Sequence, residues 1–167
     1  MRTGGNAKVA VGVVVLAALL GAPAASAEER SCRGTLGAIT VDNLRVPQRA
    51  TCVLTGTRVK GTIKVQRRAT LHATNVRVVG NVQAENHRFV TVMSSRIGDS
   101  VQIVQGGGST VTGNKVTGDI QYFSNRGAIA ITNNRVNGNL QCKANKPRPT
   151  GGGNRVGGNK EDQCKRL

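Results

Sequence analysis

A segment of eight residues recurs six times in this chain, and the copies align without internal gaps: Arg58–Val65, Arg77–Ala84, Arg96–Ile103, Lys115–Tyr122, Arg135–Cys142 and Arg155–Asp162. Their starts lie 19, 19, 19, 20 and 20 residues apart. A degenerate earlier copy runs through Asp42, Leu44 and Val46, and the last copy loses its apolar pattern at Lys160. Weakened copies at both ends are what a stacked array needs in order to stop. A period this short constrains the fold severely, because a unit of about 20 residues has no apolar interior of its own and acquires one only by stacking on its neighbours.

Inside each copy apolar and polar residues alternate, the signature of a strand. Val59, Ile63 and Val65 point one way, and Arg58, Thr62 and Lys64 the other. Superposing the copies gives apolar columns: Val59, Val78, Ile97, Val116, Val136 and Val156 form one, and Leu44, Ile63, Val82, Val101, Ile120 and Leu140 another. A second, weaker strand follows each copy, through Leu71 and Ala73, Val90 and Val92, Val111, then Ile129 and Ile131. Gly, Asn and Ser fill the corners, as turns require. The expectation is an all-β, single-domain parallel β-helix of about six coils, rising about 4.8 Å per coil. Small aliphatic residues and three aromatics in all, Phe89, Tyr122 and Phe123, suit a narrow bore. Propeller blades and leucine-rich repeats need longer or leucine-richer periods.

The repeated pattern of Val, any residue, Gly, any residue and then alternating aliphatics, as in Val78–Ala84, resembles the triangular parallel β-helix of the bactofilin type. It also resembles small exported bacterial β-helix proteins. The resemblance covers roughly residues 40–160 and implies a right-handed winding. A left-handed hexapeptide solenoid is the alternative, although its coil of about 18 residues fits the period less well. Bactofilins are cytoplasmic or membrane-associated and polymerise end to end; the leader and cysteines described next depart from that pattern, so a polymer role is not carried over.

Residues 1–27 read as a signal peptide: Arg2 and Lys8, an apolar run from Val9 to Leu20, and Ala25-Ser26-Ala27 as the cleavage signal. The run is shorter than the ~20 residues of a spanning helix. No later segment is apolar enough to span, so no transmembrane segment is expected and the β-helix domain occupies residues 28–167. Loss of Arg2 and Lys8 takes the bases from 24 to 22 against 8 acids, a net charge of +14. Cys32, Cys52, Cys142 and Cys164 all follow the cleavage site, and an even number in an exported chain reads as disulfides. Zinc is the rival reading, but there is no C-x-x-C pair and neither histidine lies at ligand spacing; no metal or cofactor is expected. Cys52 and Cys142 would stand about four coils, or roughly 19 Å, apart, beyond the ~7 Å that a disulfide spans. The expected pairs are therefore Cys32–Cys52 and Cys142–Cys164, one at each end.

Every copy begins with a base. Arg58, Arg77, Arg96, Lys115, Arg135 and Arg155 would form an outward column about 24 Å long, five steps of ~4.8 Å. It is read either as a solvated face that discourages aggregation or as a cationic rail for polyanions. Arg67, Arg68, Arg88, Arg126, Lys143, Lys146 and Arg148 make a second basic edge. Gln83, Gln102, Gln121 and Gln141 form an outward ladder, expected to bond along the axis, and Asn114, Asn134 and Asn154 a corner ladder in which Asn tolerates left-handed backbone. Asp99 and Asp119, on adjacent coils, are the candidate acid pair for a minimal polysaccharide lyase or hydrolase, although corner positions favour a turn role. His72 and His87 have no evident partner. The longest insertion is Lys143–Gly153, too little to build a cleft. Scarce aromatics disfavour specific binding of single-stranded nucleic acid. The function expected is a secreted, non-catalytic binding or structural protein on an anionic envelope or extracellular polymer. The enzyme is the alternative, and a self-assembling rod a third reading by fold analogy alone.

Overall fold

Each repeat folds into three short strands, because the eight-residue segment bends in its middle. The computed structural model describes Met1 and residues 28–167; apart from Met1, the leader expected over residues 1–27 lies outside the described residues. In one coil Arg77–Val78 belongs to one sheet, Val82–Glu85 to a second and Phe89–Met93 to a third. Stacking yields sheet A with eight strands, built on Val82–Glu85 and its equivalents, and two sheets of seven: sheet B on Phe89–Met93 and sheet C on Arg77–Val78. All pairings are parallel and in register. No helix is present among the described residues, and the result is a three-sided β-solenoid of about seven turns. The turn beyond the six expected comes from the degenerate first copy, which forms a full coil: Thr40 pairs with Arg58 and Val41 with Val59.

Both apolar columns run down the bore. Val59, Val78, Ile97, Val116 and Val136 are buried, as are Leu44, Ile63, Val82, Val101, Ile120 and Leu140. Sheet B contributes Leu71, Val90 and Ile129 to the same cluster. The period lengthens from 19 to 20 at a single place. The Arg126 N–H reaches the Gly106 carbonyl, keeping the shorter spacing, whereas Ile129 pairs with Ser109. One residue is thus added at the corner between sheets A and B in each of two successive coils, since Ala130 pairs with Thr150 in the next, and a loop absorbs it without disturbing any strand.

The corners hold the coils by side-chain ladders. Between sheets C and A, the backbone N–H of Thr62, Asn81, Ser100, Asp119, Asn139 and Asn159 each donates to a side-chain oxygen one coil earlier, over 2.6 to 3.3 Å. Coils approach so closely there that a Cβ at Gly138 would strike the Asp119 carboxylate and the Gly118 backbone. Between sheets B and C the left-handed residues are Asn75, Ser94 and Asn133, with glycine at Gly56, Gly113 and Gly153. Asn114, Asn134 and Asn154 directly follow such residues; they do not have left-handed backbone themselves but turn inward and are buried. Asn134 Oδ1 accepts the Asn114 N–H and Nδ2, both at 3.0 Å, and its Nδ2 donates to the Val111 carbonyl at 2.8 Å. Asn125 and Asn145 make an equivalent ladder at the corner between A and B.

The ends close differently. Cys32 bonds Cys52 with Cα atoms 5.6 Å apart, and Cys142 bonds Cys164 at 5.2 Å, the expected pairing. Lys160 replaces the apolar column in the last coil, and the turn from Cys164 folds Leu167 over the bore, where it is buried. Tyr122 is the one aromatic residue among the fully buried side chains. Its hydroxyl faces that of Ser109, which stands where neighbouring coils carry Val90 and Ile129, and neither hydroxyl has a well-formed hydrogen bond. Burial pushes the Tyr122 phenol well above its ordinary range.

Two substitutions should separate the polar groups that hold the solenoid from the one that does not. Asn134→Ala strips a partner from four buried backbone and side-chain groups and should cost about 3 kcal/mol or more. Tyr122→Phe removes a hydroxyl that gains little from the bore and should be neutral or stabilising by about 1 kcal/mol. Urea midpoints of the two variants against the parent decide both.

Candidate polyanion-binding face

Sheet C strands are only two residues long, so each coil presents one inward aliphatic and one outward residue. The outward residues are Arg58, Arg77, Arg96, Lys115, Arg135 and Arg155, paired in an unbroken column, and all six are exposed. Beside the bases from Arg77 to Arg155 stack Val79, Gly98, Thr117, Asn137 and Gly157, short side chains that leave the bases standing proud, whereas beside Arg58 stands Lys60. Arg135 and Arg155 flank one depression, floored by Val136, Asn137, Val156 and Gly157.

Among the described residues there are two ion pairs, Arg45 with Glu29 at 2.7 Å and Lys60 with Asp42 at 3.0 Å. Lys60, by hydrogen bond and by charge, holds the Asp42 carboxyl below its ordinary value. Both pairs lie in the first coils, and neither involves the column. Adjacent bases ~5 Å apart repel by roughly 0.8 kcal/mol in water, less with splayed side chains and salt. The column is therefore a line of uncompensated positive charge.

The other two faces differ sharply. Sheet A carries the amide ladder: Gln83 Nε2 donates to Gln102 Oε1 at 3.0 Å, Gln102 to Gln121 at 3.2 Å, Gln121 to Gln141 at 2.8 Å, and Gln141 to the Glu161 carboxylate at 2.9 Å. These amides are engaged with one another along the axis, as expected. No strand of sheet B contains Lys, Arg, Asp or Glu; its outward positions are mostly threonine. The second basic edge falls at the corner between A and B, where Arg67, Arg68, Arg88, Arg126, Lys143, Lys146 and Arg148 are exposed. Arg49 belongs to the same corner, its N–H bonded to the Arg67 carbonyl; the degenerate first copy hid it from repeat alignment.

Asp99 and Asp119 are linked through one hydroxyl. Ser100 Oγ donates to Asp99 Oδ1 at 3.3 Å and accepts the Asp119 N–H at 3.0 Å. Asp119 Oδ1 accepts the Asn139 N–H at 2.6 Å, the same job that Asn, Thr and Ser perform in the other coils. His72 Nδ1 lies 3.2 Å from Thr91 Oγ1 on the outside of sheet B. His87 is buried at the corner between A and B with neither ring nitrogen hydrogen-bonded, and burial lowers its pKa to about 4. Local sequence does not mark His87 as interior; its place one coil from Ala69 and Gly106 does. Its ring occupies the space a Cβ at Gly106 would need. Among the described residues no three of His, Cys, Asp and Glu converge in a metal-binding group, and no helix is long and apolar enough to cross a membrane.

The fold and its two terminal disulfides make this chain a three-sided parallel β-solenoid with stapled ends. Comparison with protein-family models, curated proteins and solved structures finds no match.

Two outcomes test the placement of the titratable groups. Asp119→Asn should be nearly neutral, because an amide oxygen accepts the Asn139 N–H equally well, whereas Asp119→Ala should cost about 1 kcal/mol; equilibrium unfolding measures both. The unfolded chain protonates His87 near pH 6.5 and the folded chain only near pH 4. Stability should therefore fall as pH drops from about 6.5 to 4, by up to about 3 kcal/mol. His87→Asn should flatten that slope in urea titrations run across the window.

Proposed function

We propose that the protein is a secreted, non-catalytic β-solenoid that binds linear polyanions of the cell envelope or extracellular matrix along sheet C. The observation that carries this reading is the column of six exposed bases, one per coil, with no acid paired to any of them among the described residues. A polymer lying along the column replaces repulsion between neighbouring bases by attraction and releases its counterions. The two disulfides and the expected leader support an exported location, where such polymers are met. The small residues beside the column let a chain approach the guanidinium groups without steric selection. Recognition on this reading is by charge spacing, so it is broad across polyanions and falls steeply with salt.

The triple variant Arg77→Gln, Arg96→Gln, Lys115→Gln should fold normally, since all three side chains face solvent. It should leave a heparin column at clearly lower salt than the parent. The charge-matched variant Arg33→Gln, Lys165→Gln, Arg166→Gln should elute near the parent. Equal elution of the two variants would show that net charge alone governs retention, and the column would then be only a solvated face.

A further inference from the structure

The chain passes in every coil from sheet C to sheet A to sheet B. In a three-sided rod the corner between A and B therefore lies opposite sheet C. That corner carries its own line of bases. Arg49 and Arg68 stack with Asn86, and Arg88, Gly107, Arg126 and Lys146 stack in successive coils, each through backbone N–H to carbonyl bonds. One coil, at Gly107, lacks a base. All of these bases are exposed, and none is ion-paired among the described residues.

Surface without bases separates the two lines across sheet B and, in the central coils, across sheet A; nearer the start of the rod Lys64 stands between them on sheet A. Sheet B has no charged residue in its strands, and in the three central strands of sheet A the sole charge is Glu85. With strands of up to five residues as sides, the two lines stand on the order of 14 Å apart before side chains are counted. That exceeds the Debye length of about 8 Å at physiological ionic strength. Over the central coils each line therefore acts on its own, and a chain stretched along one reaches the other there only by wrapping across surface that carries no base.

We propose that the rod is bivalent and crosslinks linear polyanions, holding one chain along sheet C and a second along the opposite corner. This rests on the polyanion reading of sheet C and adds a second, independent line. Its consequence is functional: a monomer would join two polymer strands about one rod-width apart, as a matrix or wall crosslinker does, with no need for dimerisation.

The test is a sandwich capture with the purified protein. Immobilised heparin is saturated with protein, washed, and exposed to fluorescent heparin. The parent should capture the second chain. Arg77→Gln, Arg96→Gln, Lys115→Gln on the sheet, and Arg88→Gln, Arg126→Gln, Lys146→Gln on the corner, should each still coat the surface, yet capture roughly tenfold less. The charge-matched Arg33→Gln, Lys165→Gln, Arg166→Gln variant should capture like the parent. If the parent coats the surface but captures nothing, bivalence is wrong while polyanion binding itself stands. If the parent fails to coat at all, the polyanion reading itself fails. Equal loss of capture in all three variants would overturn the two-line arrangement in favour of net charge.

Discussion

A coil of 19 or 20 residues acquires an interior only when the next coil is hydrogen-bonded to it in register, and the parallel backbone bonding between successive coils is what the rest of this molecule depends on. It sets Val78 over Val59 and Val82 over Ile63, turning six weak apolar faces into one bore. The same register sets Arg77 over Arg58, so the energy that aligns the bore also forces like charges into line. A slip of one residue would turn the aliphatics outward and the bases inward. The bore and the basic column are thus two consequences of one constraint.

Register alone leaves the corner amides and the rod's ends unsatisfied, and this chain answers each with polar chemistry. The corner ladders supply acceptors for backbone N–H groups that turn away from the sheets, groups that would otherwise be buried without partners. At the ends the stacking bonds have no neighbour. Each disulfide closes a loop of about 20 residues and contributes about 3 kcal/mol by restricting the unfolded chain, in coils where the apolar columns are degenerate. Leu167 covers the last coil.

With the interior this narrow, outward positions are free to specialise, and the three sides do so. Sheet C is cationic, sheet A has its amides bonded to one another, and sheet B is charge-free in its strands. Placing the two lines on one side and the facing corner keeps them about a rod-width apart, which lowers the repulsion between one line and the other, though not within either. It also leaves two lines on which a polyanion gains most from being extended and little from being compact.

The all-β repeat, its apolar columns, the outward bases, the amide ladder and the disulfide pairing were legible in the sequence, because each follows from periodicity in a chain whose contacts are nearly all with the next coil. The bend that divides each eight-residue segment between sheets C and A was not. Val78, Val82 and Ala84 keep the same parity, with Gly80 between the first two, whether the segment is straight or folded around a corner, so periodicity cannot tell the two apart. Nor could sequence show that Asn114, Asn134 and Asn154 are buried beside left-handed residues rather than left-handed themselves, or that His87 is interior. Those depend on which way the chain turns at each corner, and only the closed three-sided coil decides that. The opposition of the two basic lines was likewise beyond one-dimensional reading. Sequence determines which residues stack on one another; closure around the bore determines which columns face apart.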